Sequence, residues 1–132
     1  MSTQRDTTVR VLIADDHRLF AEALAAMLAS EERVSVVGCA GDGREAVELV
    51  RRLRPDVVLL DISMPVMDGF EAAQEIAREP DAPSVVMVTG SNAAQDVDRA
   101  RRAGARAYVT KDEIAATLVD SIFGAVGAKS RC

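Results

Sequence analysis

Five short apolar runs, each separated from the next by a stretch long enough to hold one helix, constrain this chain more than anything else in it. The runs lie at residues 10–14, 33–39, 56–60, 84–88 and 105–109. After the first, Leu19, Phe20, Ala23, Leu24, Met27 and Leu28 recur at helical spacing over 17–30. A second helix is expected over 44–54, with Ala46, Val47, Val50 and Leu53 inward and Pro55 just past its end. A third is expected over 70–78. A fourth, over 92–103, has only a weak stripe (Ala93, Val97, Ala100), and Gly104 can cap it. From residue 112 on, Ile114, Leu118, Val119, Ile122 and Phe123 mark a last helix, whose end Gly124 and Gly127 loosen. No connection is short enough for a hairpin. The alternation therefore predicts an α/β fold: a doubly wound parallel sheet, helices on both faces, right-handed crossovers. The expected domain covers 9–126, after a disordered polar lead at 1–8 and before a short tail at 127–132.

The central run, Val57-Val58-Leu59-Leu60, is apolar throughout, as suits a strand buried on both faces. It runs straight into Asp61, with Pro65 and Gly69 close behind. A parallel sheet places all its strand carboxyl ends along one edge, where open α/β sheets hold ligands. That edge should carry Asp15 and Asp16 from the first strand, Asp61 from the third, Thr89 from the fourth and Lys111 from the fifth. The second strand contributes nothing obvious. Each residue has an ordinary reading alone. Asp61 can open a turn, Asp16 can cap a helix, Thr89 can make a local turn bond and Lys111 can be a solvated charge. Their convergence on one edge is the stronger signal.

Crowded carboxylates disfavour one another's ionisation, and a divalent cation relieves that conflict. Hard oxygen donors suit Mg²⁺, typically held by one or two carboxylates and a phosphate oxygen. Lys111 can pair with a phosphoryl oxygen and Thr89 can donate to another. Asp61 can act as a nucleophile and form an acyl phosphate.

Composition narrows the class further. The 132 residues suit one domain, and a net charge of −5 without a dense basic block makes this segment a poor grip for nucleic acid. Cys39 and Cys132 form neither a disulfide framework nor a metal spacing, which suits a reducing cytoplasm, with Cys39 read as a small core residue. The single His17 cannot form a histidine metal cluster and is read as starting the first helix rather than binding metal. Gly38, Gly41 and Gly43 miss the spacing of a phosphate-binding fingerprint and read as turn glycines. No apolar run reaches membrane-spanning length.

The combination of Asp15-Asp16-His17, Leu59-Leu60-Asp61-Ile62-Ser63-Met64-Pro65-Val66-Met67-Asp68-Gly69, Thr89 and Tyr108 ahead of Lys111 resembles the receiver domain of two-component response regulators. The likeness to the NarL/FixJ (LuxR-type) group is greatest, and it spans about residues 10–126. The resemblance implies a flavodoxin-like, CheY-like sheet of five strands in order 2-1-3-4-5 with five helices. It implies that Asp61 accepts a phosphoryl group from a sensor histidine kinase. Asp16 would bind Mg²⁺ with Asp15 alongside, and the backbone carbonyl of Ser63 would complete the protein's ligands with Asp61. Thr89 would turn toward the acyl phosphate, Lys111 would pair with it and Tyr108 would rotate inward. The change would reach the face of the fourth helix, fifth strand and fifth helix, and through it a transcriptional output. The resemblance allows a phosphorylation-dependent homodimer. It assigns DNA binding to a C-terminal helix-turn-helix domain that this chain lacks, residues 127–132 being the start of a linker or simply an end. The domain would assist its own phosphorylation and dephosphorylation without being an enzyme in the turnover sense.

Two departures from the family pattern stand out. Asp112 follows Lys111 where many receivers have Pro with a cis bond. A non-proline cis bond costs about 3 kcal/mol, which leaves that loop's geometry open. Gly90 and Ser91 are small and would leave the site open to water, which predicts a phosphorylated lifetime nearer minutes than days. Two rival readings stay in play. An aspartate-nucleophile phosphatase would want an acid at position 63, which is Ser. A receiver-like interaction module that never takes phosphate would have no use for the full acidic set.

Overall fold

The computed structural model describes residues 8–90 and 94–130. Five parallel strands form one sheet in the order β2-β1-β3-β4-β5. They are β1 (Val9–Ala14), β2 (Val34–Ala40), β3 (Val57–Leu60), β4 (Ser84–Thr89) and β5 (Ala105–Thr110). The helices are α1 (Arg18–Ala29), α2 (Gly43–Leu53), α3 (Gly69–Ala77), α4 (Ala94–Arg102) and α5 (Ile114–Ser130). A short 3₁₀ turn, Lys111–Glu113, leads into α5.

The strand period of two sorts the core into two layers. Leu12, Ala14, Val58, Leu60 and Met87 face Val47, Val50, Phe70, Ala73 and Ile76 of α2 and α3, and Ala100 and Ala103 join them from α4 and its end. Val11, Ile13, Val57, Leu59, Val86 and Val88 face Leu24 and Leu28 of α1 and Leu118 and Ile122 of α5. Every residue of β3 and β4 is buried, as the uninterrupted apolar runs require. Fully burying side chains of this size is worth roughly 1.5–3 kcal/mol each before conformational entropy is counted.

Local chemistry sets the helix ends. Asp42 caps α2 by accepting from the Glu45 N–H, and Asp68 caps α3 in a reciprocal capping box with Glu71. Arg54 ends α2 in a left-handed conformation just before Pro55, and Gly104 follows α4 at φ 107°. At Gly69 a side chain would force the backbone to shift, since a Cβ would lie 2.1 Å from the Asp61 carbonyl oxygen. That close approach lets α3 start directly under the end of β3.

Several expectations change. α5 continues past Gly124 and Gly127 as helix to Ser130. Cys39 is exposed rather than in the core, because β2 is an edge strand. There are no cis peptide bonds among the described residues, so Lys111–Asp112 is trans. Ala93 and Asn92, expected at the start of the fourth helix, lie outside the described residues, as does almost all of the lead at 1–8. No helix among the described residues is long and apolar enough to cross a membrane.

Candidate functional site

The backbone ladders carry the acidic residues to the edge. The Asp61 N–H donates to the Ala14 carbonyl at 2.9 Å, and the Asp15 N–H to the Ala40 carbonyl at 3.0 Å. Pairing thus runs one residue past each strand, and Asp15 and Asp61 come to rest side by side. Both are buried, with 5% and 3% exposure, while Asp16 is exposed. Asp16 does not cap α1; His17 occupies that position.

Lys111 enters from the 3₁₀ turn after β5. Its Nζ lies 3.0 Å from Asp15 Oδ2 and 3.9 Å from Asp61 Oδ1. The same ammonium stands 4.3 Å over the centre of the Phe20 ring on α1. Lys111 is therefore fixed from two sides, by carboxylates and by an aromatic face. On the other side of Asp15, the His17 N–H donates to Oδ1 at 2.8 Å. The His17 ring Nδ1 lies 3.1 Å from that same oxygen and 3.3 Å from Asp16 Oδ1.

One positive charge faces three carboxylates here, and the imbalance registers at Asp61. Its acidity is weakened, the pKa pushed from 3.8 up to about 6. Burial away from water is the main cause and the neighbouring Asp15 charge the next; Lys111 and the Ile62 N–H pull the other way.

Ser63 is exposed and shares with Asp16 a depression of about 590 Å³ between the β3–α3 loop and Asp96 and Arg99 of α4. A second depression of about 530 Å³ opens on the β2 side of Asp15 and Asp16, lined also by Cys39, Gly41 and Glu45. The end of β2, which read as empty from sequence, thus forms one wall. Thr89 is buried at the end of β4, level with Thr110, the residue before Lys111. Tyr108 stands further down β5, half-buried against the α4-side core, where it lines a recess with Val97 and Ala100.

The structure therefore brings Asp15, Asp16, Asp61 and Lys111 together, places Ser63 on the rim and Thr89 on the adjoining strand end, and sets Tyr108 apart under α4. Phe20 went unread in the sequence, where it looked like one more member of an apolar stripe. His17 was read as a helix start rather than a metal ligand; it does flank α1, and its ring also lies against the acidic pair.

Asp15, Asp16, His17 and Asp61 each offer one ligand atom, and these atoms all lie within 4.8 Å of one another. An octahedral Mg²⁺ with bonds of about 2.1 Å separates opposite ligands by roughly twice that. The oxygen donors present fit such an ion with little closure.

Comparison with known proteins agrees. Residues 11–123 match the family described as the response regulator receiver domain. The transcriptional regulatory protein PdtaR of Mycobacterium tuberculosis is 46% identical over 123 residues, which cover 92% of this chain and 59% of that protein. The chain thus spans about three-fifths of that relative's length. The signal receiver domain of a NarL response regulator from M. tuberculosis superposes with a TM-score of 0.81 at 33% identity, covering 92% of this chain and 95% of that one. The response regulator domain of Thermotoga maritima CheB reaches 0.85 at 33% identity, covering 91% and 97%. With the sheet order, the acidic edge and the family match in agreement, this chain belongs to the receiver domains of two-component response regulators.

Proposed function

We propose that Asp61 is the phosphoacceptor. Its carboxylate attacks the phosphorus of a phosphohistidine on a sensor kinase whose second ring nitrogen carries a proton; the phosphorus–nitrogen bond breaks as the phosphorus–oxygen bond forms, and the imidazole keeps that proton and leaves as neutral histidine beside the new acyl phosphate. The observation that carries this reading is a nucleophile-grade carboxylate, 3% exposed at the end of the central strand, with a fixed ammonium 3.9 Å away. Lys111 neutralises charge on the phosphoryl oxygens, and Phe20 holds it on station. Thr89 donates to another phosphoryl oxygen from the next strand.

Mg²⁺ would be held by Asp15, Asp16, Asp61 and the Ser63 carbonyl, and would supply electrostatic stabilisation of the transferring group. Around it, Asp15 has a second task, since its two oxygens tie Lys111 to the β1–α1 loop. Tyr108 and Thr89 form the switch: movement of Thr89 toward the acyl phosphate frees space for the Tyr108 ring against Val97 and Ala100 of α4. The face of α4, β5 and α5 then reports the state, as a population shift. In this reading the domain works in the cytoplasm, as a phosphorylation-dependent dimer, and its output is transcription through DNA-binding segments outside this chain. A Cβ at Gly90 would meet nothing within 4 Å, which supports a site open to water and an acyl-phosphate lifetime nearer minutes than days.

The test is mass spectrometry after treatment with acetyl phosphate and Mg²⁺. One phosphoryl group should be gained by the wild type and none by Asp61→Asn. Equal labelling of the two rejects Asp61.

A further inference from the structure

We propose that His17 is an additional ligand of the metal centre and tilts its selectivity from Mg²⁺ toward divalent transition ions; the inference rests on the metal site proposed above. A receiver centre built only from carboxylates and a backbone carbonyl offers hard oxygen alone. Here an imidazole nitrogen stands in the same cluster. His17 Nδ1 is 3.1 Å from Asp15 Oδ1 and 3.3 Å from Asp16 Oδ1, separations usual between neighbouring ligands of one small cation. Together with an Asp61 oxygen, all four donors fall within 4.8 Å.

The backbone places the ring there. His17 is the N-terminal flanking residue of α1, and its side chain makes no capping bond to the helix. Its own N–H is bound to Asp15 Oδ1 at 2.8 Å, which fixes the residue beside the acidic pair. The helix-start role leaves the ring free of the helix, and its Nδ1 instead hydrogen-bonds the Asp15 carboxylate at 3.1 Å, a contact in which a bound cation would take the place of the shared proton. Its side chain is 65% exposed and approaches Asp15 at Oδ1, while Lys111 holds the other oxygen, Oδ2. Neutral imidazole is a good donor to Co²⁺, Ni²⁺ and Zn²⁺ and a poor one to Mg²⁺. Replacing it should therefore change the ratio of affinities more than the Mg²⁺ affinity itself.

The experiment compares untagged wild type with His17→Ser, which keeps a good helix cap, and His17→Ala. Mg²⁺ and Co²⁺ binding are measured by calorimetry, and bound Mn²⁺ is examined by pulsed electron paramagnetic resonance. The expected result is nitrogen modulation on Mn²⁺ in the wild type that disappears in both variants. The Co²⁺ to Mg²⁺ affinity ratio should fall about ten-fold, with Mg²⁺ binding changed less than about two-fold. Mn²⁺ bound without nitrogen coupling, or an unchanged ratio, overturns the role of His17 while leaving the oxygen site standing. Failure of the wild type to bind any of the three ions overturns both the site and this inference.

Discussion

The strand β3 has an aspartate at each end, and the two ends solve the problem of charge in opposite ways. Asp56, before the strand, accepts the Arg10 N–H at 2.9 Å, in a region where Arg10 Nη1 also donates to the Arg54 carbonyl and Arg51 pairs with Glu79 at 2.8 Å. There the half-buried Asp56 carboxylate is satisfied by a backbone N–H, and the nearby Arg51 and Glu79 neutralise each other. Asp61, after the strand, is buried beside Asp15 with Asp16 nearby, and among the described residues Lys111 is the one lysine or arginine paired with any of the three. The lesson is that residue type does not separate structural from chemical acids. What separates them is whether the neighbourhood satisfies the charge or leaves it in excess, and excess negative charge at a buried edge is the state that a cation and a phosphoryl group relieve.

The largest expected effect breaks the comparison at its centre. Asp61→Asn should abolish phosphoryl uptake, while Asp56→Ala should leave it within about two-fold and cost about 1 kcal/mol for the lost hydrogen bond. Parallel labelling and urea unfolding of the two variants check this. Loss of labelling in Asp56→Ala would erase the distinction between the two ends.

The pH dependence of stability gives the next effect. Asp61 keeps its proton in the folded chain up to about pH 6, whereas the unfolded carboxyl releases it near 3.8. Between those values the unfolded state has lost a proton that the folded state still holds, so stability falls as pH rises through that window and stays lower above it. A shift of this size corresponds to about 3 kcal/mol at most. In buffer free of divalent ions, Asp61→Asn should therefore be more stable than wild type at pH 7.5 and indistinguishable from it below pH 4. Equal stability of the two at both pH values would show that Asp61 carries no such penalty.

Backbone contact sharpens the contrast further. Gly69→Ala forces a Cβ against the Asp61 carbonyl and should cost roughly 1–3 kcal/mol, with slower phosphorylation. Gly104→Ala, where the nearest atom is the Ala77 Cβ at 3.6 Å, is strained only by its φ of 107°. It should cost about 1 kcal/mol and leave labelling unchanged. Unfolding curves and initial labelling rates separate the two. The smallest effect belongs to Phe20→Leu, which removes the ring under Lys111 and keeps an apolar side chain. A cation–π contact of about 0.5–1 kcal/mol predicts a slowing of phosphorylation by roughly two- to five-fold, read from initial rates with acetyl phosphate.

Much of this was legible in one dimension. The alternation of apolar runs with helix-length connections dictated a parallel sheet, and a parallel sheet dictated that Asp15, Asp16, Asp61, Thr89 and Lys111 end on one side. Both conclusions follow from periodicity and chain direction, which are local properties. The strand order came from resemblance alone, because any order satisfies the same local pattern. Pairing decided what pattern could not. Cys39 and Ile13 sit in strands that look alike along the chain, yet β2 lies at the edge and exposes Cys39, while β1 is flanked on both sides and buries Ile13. The seating of Phe20 beneath Lys111 joins residues 91 positions apart, and the turn of the His17 ring over two carboxylates depends on a side-chain torsion. Sequence determined which groups would share an edge; only the packed chain, through long-range pairing and side-chain orientation, decided which of them touch.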